Sequence, residues 1–203
     1  MLLLTPALRA ADDQKPIEPK EKIELFNGKD MVGWVSHLKG GVEADKVWSV
    51  KDGLLLCEGK PNGYLRTEKS YTNYKVTVEW RFAKAGNTGV LVHITGQDKV
   101  WPLCVECQGM HAQQGDMYFW SGAKCAELKK GVKVPRKSPD AEKPVGEWNT
   151  FQVLCAADTI TILVNGTEMN KTTGGSLTAG TIGIQCEGAK LEVRKVTLEP
   201  LSP

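Results

Sequence analysis

The feature that most constrains the fold is a succession of short alternating segments, each followed by a tight-turn signal. The clearest is Tyr74–Phe82, where apolar and polar side chains alternate at every position. A period of two residues is typical of a β-strand with one buried and one polar face. Asn27-Gly28, Asp52-Gly53 and Asn165-Gly166 are dipeptides that favour tight β-turns. The sequence therefore predicts antiparallel strands joined by hairpins.

The same pattern recurs along the whole chain. The predicted strands are residues 23–26, 47–50, 54–57, 64–67, 74–82, 89–94, 103–108, 148–155, 159–164, 167–170, 181–186 and 191–198. The apolar phase slips within the last strand, which predicts a β-bulge near Lys195. No window combines helical periodicity with capping residues. About a dozen strands at intervals of about 8–12 residues indicate an all-β sandwich or barrel.

Composition and charge narrow the classes of partner. Of the 203 residues, 41% are hydrophobic and 25% are charged, as in ordinary soluble globular proteins. The formal net charge is +2 and no long basic stripe is present, which argues against nucleic acid and membrane surfaces as partners. No run approaches the ~20 apolar residues of a membrane span. We expect a single domain from residue 23 to residue 203.

The N-terminal residues 1–22 are expected to lie outside this domain. Residues 1–11 (MLLLTPALRAA) resemble the end of a secretory signal, because a short apolar run precedes Ala-Leu-Arg-Ala and an acidic start. The basic leader of such a signal is missing, so a disordered chain end is the alternative. Residues 12–22 are polar and proline-rich, which predicts a linker. We therefore expect an exported protein, either periplasmic or extracellular.

Six cysteines raise the question of disulfide bonds in an exported protein. Five of them, Cys57, Cys104, Cys107, Cys155 and Cys186, fall within predicted strands, where a free cysteine behaves as a small hydrophobic residue. The C-x-x-C pair at 104 and 107 has no second pair or histidine pair to complete a zinc site. Buried free thiols are therefore expected, with disulfides as the alternative.

Polar side chains of an unusual kind concentrate on three consecutive predicted strands. They are Glu79, Arg81, His93, Glu106 and Gln108, each alternating with apolar neighbours. If neighbouring strands of the sheet follow chain order, these side chains meet on one face. That face would be the functional site. An ordinary solvated sheet face shows the same alternation, so this alternative stays open.

Further candidate residues lie near this group or on strands expected beside it. They are Arg66, Trp101, His111, Asp116, Trp148 and Gln185. Carboxylates and arginine beside aromatic rings are typical of a carbohydrate cleft, and glycines at the strand ends would let a ligand approach the backbone. Residues 109–144 form a long connection with three consecutive aromatic residues. We interpret it as a lid or sugar-stacking loop, or as a loop that packs its own aromatic residues.

An ordered set of motifs resembles the bacterial 3-keto-disaccharide hydrolase family. The motifs are LFNGKDMVGW, WSVKDGLLLCEG, GYLRTEKSYTNYKVTVEWR, GNTGVLVH, VECQ, HAQQGD, GEWNTFQV, VNG and TIGIQCEGAKLEVRKVTLEPL, in this order from residue 25 to residue 201. The resemblance implies a concanavalin A-like jelly-roll β-sandwich of two antiparallel sheets that acts on glycosides. The chain departs from the family at Glu187, where histidine is common.

The resemblance also implies a reaction, the cleavage of 3-keto-glycosides by elimination followed by hydration. A ketone at carbon 3 acidifies the hydrogen on carbon 2, and the oxygen on carbon 1 becomes a β leaving group. The reaction needs a base, an enolate stabiliser and an acid. On this hypothesis Glu106 is the base, Arg81 or His93 holds the enolate oxygen, and Glu79 is the acid or an orienting partner. Arg66 and Gln108 would bind hydroxyl groups.

Cofactors and two alternative functions complete the expectations. No cofactor is demanded by the motifs, although a divalent cation could replace the cationic stabiliser. A lectin-like carbohydrate-binding module would share the fold without chemistry. A two-carboxylate glycosidase would act on unoxidised sugars with Glu79 and Glu106 as its pair. In every case the expected partner is a carbohydrate, which for the enzyme is an oxidised disaccharide, oligosaccharide or glycoside.

Overall fold

A computed structural model describes residues 15–201, which fold into fifteen strands. The strands are β1 (Ile23–Glu24), β2 (Trp34–Leu38), β3 (Trp48–Lys51), β4 (Leu54–Cys57), β5 (Gly63–Thr67), β6 (Tyr74–Phe82), β7 (Gly89–Thr95), β8 (Leu103–Gln108), β9 (Met117–Trp120), β10 (Lys133–Val134), β11 (Asn149–Ala156), β12 (Thr159–Val164), β13 (Thr167–Thr172), β14 (Thr181–Cys186) and β15 (Leu191–Pro200). Among these residues, one 3-10 turn at Ala44–Lys46 is the only helical element. The all-β prediction is confirmed. No helix in the described range is long and apolar enough to cross a membrane.

The strands form two antiparallel sheets whose order differs from chain order. The eight-stranded sheet runs β13-β12-β11-β6-β15-β4-β3, with β1 paired to β15. The seven-stranded sheet runs β10-β9-β8-β7-β14-β5-β2. The consecutive strands β6 and β7 therefore lie in different sheets. This crossover decides which polar side chains can meet.

Apolar side chains from alternate positions fill the space between the two sheets. Val78 and Trp80 of β6 are fully buried, and so are Ile182 and Ile184 of β14 in the opposite sheet. The indole of Trp80 stacks on the ring of Phe151 in β11, with the ring centroids 4.7 Å apart. Because both sheets present this apolar face to each other, their opposite faces are left for polar residues.

The predicted strands agree with the structure in position. Strands β4, β6, β8, β12 and β14 also have the predicted bounds, and the predicted bulge near Lys195 is present as a register shift between Val193 and Lys195. The strands β2, β9 and β10 were not predicted. Since β9 and β10 belong to residues 109–144, part of that connection is an edge of the seven-stranded sheet.

The N-terminal predictions fall partly on residues that the structure describes. The predicted signal remnant, residues 1–11, lies outside them. Residues 15–22, expected as a linker, lie against the domain instead. The N–H of Ile17 donates to the Ser70 carbonyl, and the N–H of Thr72 donates to the Ile17 carbonyl. These bonds, together with the buried Pro19, attach the segment to the sandwich.

All six cysteines are free and buried, as predicted. Cys104 belongs to a small apolar cluster on the outer face of the seven-stranded sheet, whereas Cys107 lies in the core between the sheets. The two thiols of the C-x-x-C pair thus point to opposite faces, which is the arrangement that strand alternation predicts.

The buried indole of Trp80 generates a stability prediction. We expect Trp80→Ala to lower the free energy of unfolding by about 3–5 kcal/mol, because it removes a fully buried ring from the core. The matched control is Trp148→Ala, since Trp148 is partly exposed on the outer face of the eight-stranded sheet. It should cost about 1 kcal/mol. Urea unfolding followed by circular dichroism measures both, and equal losses would contradict the packing described.

Candidate active site

The structure separates the predicted site residues onto two sheets. Glu79 and Arg81 lie on β6 in the eight-stranded sheet, whereas Glu106 and Gln108 lie on β8 in the seven-stranded sheet. The expectation that all of them share one face is wrong. It assumed that sheet neighbours follow chain order, but β6 pairs with β11 and β15, not with β7.

Glu79 belongs to an ion-pair cluster on the outer face of the eight-stranded sheet. Its carboxylate accepts a 2.7 Å hydrogen bond from Arg194 Nε and a 3.3 Å hydrogen bond from Lys195 Nζ. Burial disfavours its charged form, but these two donors outweigh burial, so the pKa of Glu79 lies below its ordinary value. A carboxylate held ionised in this way is unsuited to acid catalysis.

Arg81 and Trp148 belong to the same outer surface. Arg81 Nε donates to Glu192 Oε2 over 2.6 Å. The guanidinium groups of Arg81 and Arg194 lie 4.7 Å and 4.5 Å from the centre of the Trp148 ring. Neither predicted residue reaches Glu106, because the whole core separates the two outer faces.

A β-bulge turns His93 away from the predicted face. Its φ is +56°, and the register of β7 against β8 shifts between Val92 and Thr95. The extra residue reverses the alternation, so Ile94 takes the outer position that His93 was expected to occupy.

The His93 side chain is instead a neutral core residue. It is fully buried, with its ring edge-on to Tyr74 at a centroid distance of 5.9 Å. Its Nδ1 lies 3.0 Å from the carbonyl oxygen of Leu177. Burial lowers its pKa to about 4, although the bond to Leu177 opposes this. A neutral imidazole inside the core cannot stabilise a sugar enolate.

Arg66 does lie on the outer face of the seven-stranded sheet, but it forms an ion pair with Asp98. The guanidinium donates to both carboxylate oxygens of Asp98, over 2.9 Å and 2.7 Å, and Tyr64 Oη donates to the same group over 2.8 Å. Asp98 lies on the connection between β7 and β8, which therefore folds over this part of the sheet. Arg66 is on β5, three strands from Glu106.

Glu106 lies on the outer face of the seven-stranded sheet. Its side chain is only 2% exposed, and its Oε2 accepts a 2.6 Å hydrogen bond from the indole Nε1 of Trp120. The Gln185 side chain also hydrogen-bonds to the carboxyl group. Two of the predicted residues, Glu106 and Gln185, are thus brought together, and the contact with Trp120 joins the neighbouring strand β9 to them.

Gly89 provides the space that the Glu106 carboxyl occupies. A Cβ atom at position 89 would lie 3.1 Å from Glu106 Cγ and 3.3 Å from Oε1. A side chain at position 89 would therefore have to displace the Glu106 carboxyl by a few tenths of an ångström. The side chain of Glu106 lies across the neighbouring strand and points along the sheet towards β14.

The environment of Glu106 raises the pKa of its carboxyl group to near neutral pH. Burial, the largest cause, raises the pKa of Glu106 from 4.5 to about 7. The hydrogen bond from Trp120 opposes the rise, the negative charge of Glu187 adds to it, and Gln185 opposes it. A carboxyl group with a pKa near 7 can take up and release a proton at neutral pH.

A cleft of about 340 Å³ opens beside this group at the end of β14. Its lining residues are Ala85, Gly86, Asn87, Met110, His111, Glu187, Gly188 and Ala189. Asn87 Nδ2 donates to Glu187 Oε2 over 2.9 Å, and Asn62 Nδ2 lies 3.3 Å from Oε1. Burial raises the pKa of Glu187. Glu187 thus lines the cleft, and its charge acts on Glu106, so two carboxyl groups of raised pKa are neighbours at this end of the sheet.

The other predicted binding residues lie around the same face. Trp101 is exposed and packs edge-on to Trp120, with the ring centroids 6.4 Å apart. His111 lines the cleft, and its Nδ1 lies 3.0 Å from Glu142 Oε2. Gln108 accepts a hydrogen bond from the Met110 N–H over 2.9 Å.

Asp116 binds two residues at the β10 edge of the sheet. It accepts hydrogen bonds from Lys133 Nζ over 2.6 Å and from the Arg136 N–H over 2.8 Å. The carboxylate therefore stabilises the connection after β9 and lies apart from the cleft. In the described part of the chain, no group of three or more histidine, cysteine, aspartate or glutamate side chains is arranged to hold a metal ion.

A larger cavity of about 480 Å³ lies at the β2 edge of the same sheet. Its lining residues are Val100 and residues 36–44, which include His37, two glycines and one carboxylate, Glu43. We place the candidate active site at the smaller cleft. Among residues 15–201, Glu106 and Glu187 are the two carboxyl groups whose pKa is raised, and Glu187 lines this cleft.

Comparisons with known proteins relate the chain to one family. Residues 21–199 match the family model of the 3-keto-alpha-glucoside-1,2-lyase-like domain. The chain belongs to this family. A curated relative, the 3-keto-disaccharide hydrolase of Bacteroides thetaiotaomicron, is 22% identical over an alignment of 173 residues, and the match covers 72% of this chain and 57% of the relative. The chain thus spans little more than half the length of that relative.

Solved structures show that this family member has the expected fold. A protein of Parabacteroides distasonis, provisionally named a glycosyl hydrolase, is 23% identical with a TM-score of 0.68, covering 90% of this chain and 94% of that chain. The β-glucanase of Bacillus licheniformis is 14% identical with a TM-score of 0.62, covering 88% and 97%. The carbohydrate-binding module CBM66 of Bacillus subtilis is 9% identical with a TM-score of 0.61, covering 82% and 95%. The predicted jelly-roll β-sandwich is confirmed.

Several residues of the site were not singled out by the sequence. Asn62 and Asn87 stand beside glycines, and this pattern is typical of turns. Trp120 was seen only as one of three aromatic residues in a long connection. Glu187 was noted as a departure from the family, which now gains meaning because this residue raises the pKa of Glu106 in this chain.

The raised pKa of Glu106 predicts a pH-dependent stability. Because the folded-state pKa (about 7) exceeds the ordinary value of 4.5, the contribution of Glu106 is fully present below pH 4.5 and is lost as the pH rises through 7. Relative to Glu106→Gln, the native protein should lose about 3 kcal/mol of unfolding free energy between about pH 4.5 and about pH 8. Urea unfolding at both pH values measures this difference.

The matched control for this prediction is Glu79→Gln. The pKa of Glu79 is lowered, so its contribution is present above its ordinary pKa and is lost only as the pH falls below it. The difference between the native protein and Glu79→Gln should therefore not decrease over the same range. A difference between the native protein and Glu106→Gln that stays constant with pH would show that Glu106 is not buried as described.

Proposed function

We propose that this protein cleaves 3-keto-glycosides by base-assisted elimination and hydration, with Glu106 as the base. The observation that carries the proposal is the buried Glu106 carboxyl with a pKa of about 7 beside a cleft of about 340 Å³. That volume falls in the range of small-ligand sites, about 300–1,000 Å³. Glu106 therefore has a proton affinity suited to a base, and Glu187, whose charge acts on it, lines the cleft.

The chemistry assigns roles to the groups around the cleft. Glu106 takes the proton from carbon 2 of the oxidised sugar, and the electron pair of that C–H bond forms the enolate of the carbon-3 ketone. Collapse of the enolate breaks the bond between carbon 1 and the glycosidic oxygen, which leaves with a proton. Addition of water across the resulting double bond returns a hydrogen to carbon 2 and places a hydroxyl on carbon 1. The net reaction is hydrolysis.

His111 is the candidate donor of the leaving-group proton. It lines the cleft, and its Nδ1 lies 3.0 Å from Glu142 Oε2, which is close enough for an ion pair when the ring is protonated. A carboxylate beside one imidazole nitrogen is a common way of positioning the other nitrogen for proton transfer. His111 therefore takes the role for which Glu79 was first considered, since Glu79 lies on the opposite outer face.

The comparisons support the substrate class. The Bacteroides thetaiotaomicron relative is named a 3-keto-disaccharide hydrolase, and the matched family model describes a lyase-like domain for 3-keto-alpha-glucosides. An oxidised disaccharide is therefore the substrate we propose. The glycosidase that would use Glu79 and Glu106 as its carboxylate pair is not supported, because these residues lie on different sheets.

Activity assays on three proteins test the proposal. The native protein should cleave a 3-keto-disaccharide, and Glu106→Gln should lower kcat/KM by about 10²–10⁴-fold, since it removes the base without changing the size of the side chain. Glu79→Gln is the matched control and should retain native turnover. Reducing-sugar release, followed by chromatography of the products, measures both.

The unoxidised parent disaccharide separates the alternative functions. The proposed mechanism needs the carbon-3 ketone, so the parent should stay intact. Cleavage of the parent would identify a glycosidase. Binding of either sugar by the native protein without any cleavage would identify a carbohydrate-binding module.

A further inference from the structure

The indole of Trp120 contacts the proposed base directly. Its Nε1 donates a 2.6 Å hydrogen bond to Oε2 of Glu106. An indole N–H is a donor only, so it can bind a lone pair of the carboxylate but cannot take up a proton. The bond favours the ionised carboxyl group, which is the state that a base must have before it reacts.

The backbone of two paired strands places this indole. Glu106 of β8 pairs with Tyr118 of β9, and Cys104 pairs with Trp120. Trp120 is therefore the diagonal neighbour of Glu106 across the two strands. Diagonal neighbours in an antiparallel pair lie about 7–8 Å apart, within reach of aromatic and long side chains. A regular pair of strands thus carries the donor, which sets its position more closely than a loop would.

Two neighbouring aromatic rings fix the orientation of the indole. The ring of Tyr118 is almost parallel to it, at an interplanar angle of 8° and a centroid distance of 5.6 Å. The ring of Trp101 meets it edge-on, with the centroids 6.4 Å apart. Trp120 also packs against the apolar cluster that contains Cys104. Rotation of the indole would break these contacts, so they hold its N–H towards Glu106.

The other oxygen of the Glu106 carboxyl group has different surroundings. Oε1 lies beside Gly89, since a Cβ atom at that position would be 3.3 Å from it. Glycine has no side chain to fill this space. Protonation of Oε2 would remove a lone pair and weaken the bond from Trp120, whereas protonation of Oε1 leaves that bond in place. Oε2 is thus the anchored oxygen, and Oε1 is the one suited to accept a proton.

We propose that Trp120 is a positioning residue for Glu106, which holds Oε2 through the indole N–H so that Oε1 takes the proton from carbon 2. This inference rests on the proposed function. The C–H bond of carbon 2 breaks, an O–H bond forms at Oε1, and the electron pair stays on the sugar as the enolate. Trp120 itself touches neither the proton nor the sugar and acts through the base.

Trp120→Phe separates the hydrogen bond from the packing, because it keeps an aromatic ring and removes the N–H. We expect kcat on a 3-keto-disaccharide to fall about 10–100-fold, with KM changed by less than about threefold, since the lost bond acts on the base. The bond opposes the rise in the pKa of Glu106. Without it, the rising limb of the pH profile of kcat/KM should move to higher pH, a shift that loss of packing alone would not produce.

The matched control is Trp148→Phe, the same replacement on the outer face of the eight-stranded sheet. It should retain the native kcat and the native pH profile. The inference is overturned if Trp120→Phe also retains both.

Gly89→Ala tests the assignment of the two oxygens. The added methyl group would lie 3.1 Å from Glu106 Cγ and 3.3 Å from Oε1, whereas the indole N–H is unchanged. We expect kcat to fall about 3–10-fold, because small displacements of a reacting group reduce the rate steeply. A native kcat in Gly89→Ala would overturn the assignment of Oε1 as the accepting atom.

A measurement on the native protein without sugar tests the contact itself. The chain has six tryptophans, and one indole N–H signal in the NMR spectrum should shift with pH through the pKa of Glu106, about 7. The shift should be absent in Glu106→Gln. If this signal is found but the sugar stays intact, the contact stands and the proposed function is wrong. If the sugar is cleaved but no indole signal follows the pH in this way, the function stands and this inference is wrong.

Discussion

The burial of the Glu106 carboxyl against the outer face of the seven-stranded sheet is the constraint on which the rest of the site depends. The side chain is 2% exposed, lies in space left by Gly89 and receives a hydrogen bond from Trp120. Removing a carboxylate from water disfavours its charged form, and nearby Glu187 increases that effect. The same packing that makes the group costly to ionise makes it a base at neutral pH.

The two outer faces of the sandwich differ in how their charged side chains are paired. On the eight-stranded sheet, Glu79 and Arg81 are paired with opposite charges, so that face is a solvated ion-pair surface. On the seven-stranded sheet, Glu106 and Glu187 lie among amide and aromatic side chains and have no basic partner within the described chain. Glu106 and Glu187 therefore differ from Glu79, whose charge is compensated by Arg194 and Lys195, and carboxyl groups of shifted pKa are typical of functional sites.

Local alternation could predict the strands and the face of Glu106, because β8 is a regular strand. It could not predict that Glu79 lies on another sheet, because the alternation within β6 and β7 does not show that the chain crosses from one sheet to the other between them. It also failed at His93, where one bulge residue reverses the alternation. The family resemblance correctly indicated the jelly roll. The cleft could not be predicted from the sequence. Asn87 stands beside a glycine, in a pattern typical of turns, and the hydrogen bond from Asn87 to Glu187 joins residues that are far apart in the sequence.

The pKa of Glu106 is the property that connects burial, neighbouring charge and proposed catalysis. It can be measured directly by following the side-chain carboxyl carbon of each glutamate by NMR as the pH is changed, with Glu106→Gln identifying the signal. A midpoint near 7, which falls when Glu187 is replaced by glutamine, is the expected result. A midpoint near the ordinary 4.5, unaffected by that replacement, would contradict the role of Glu106 as a buried base.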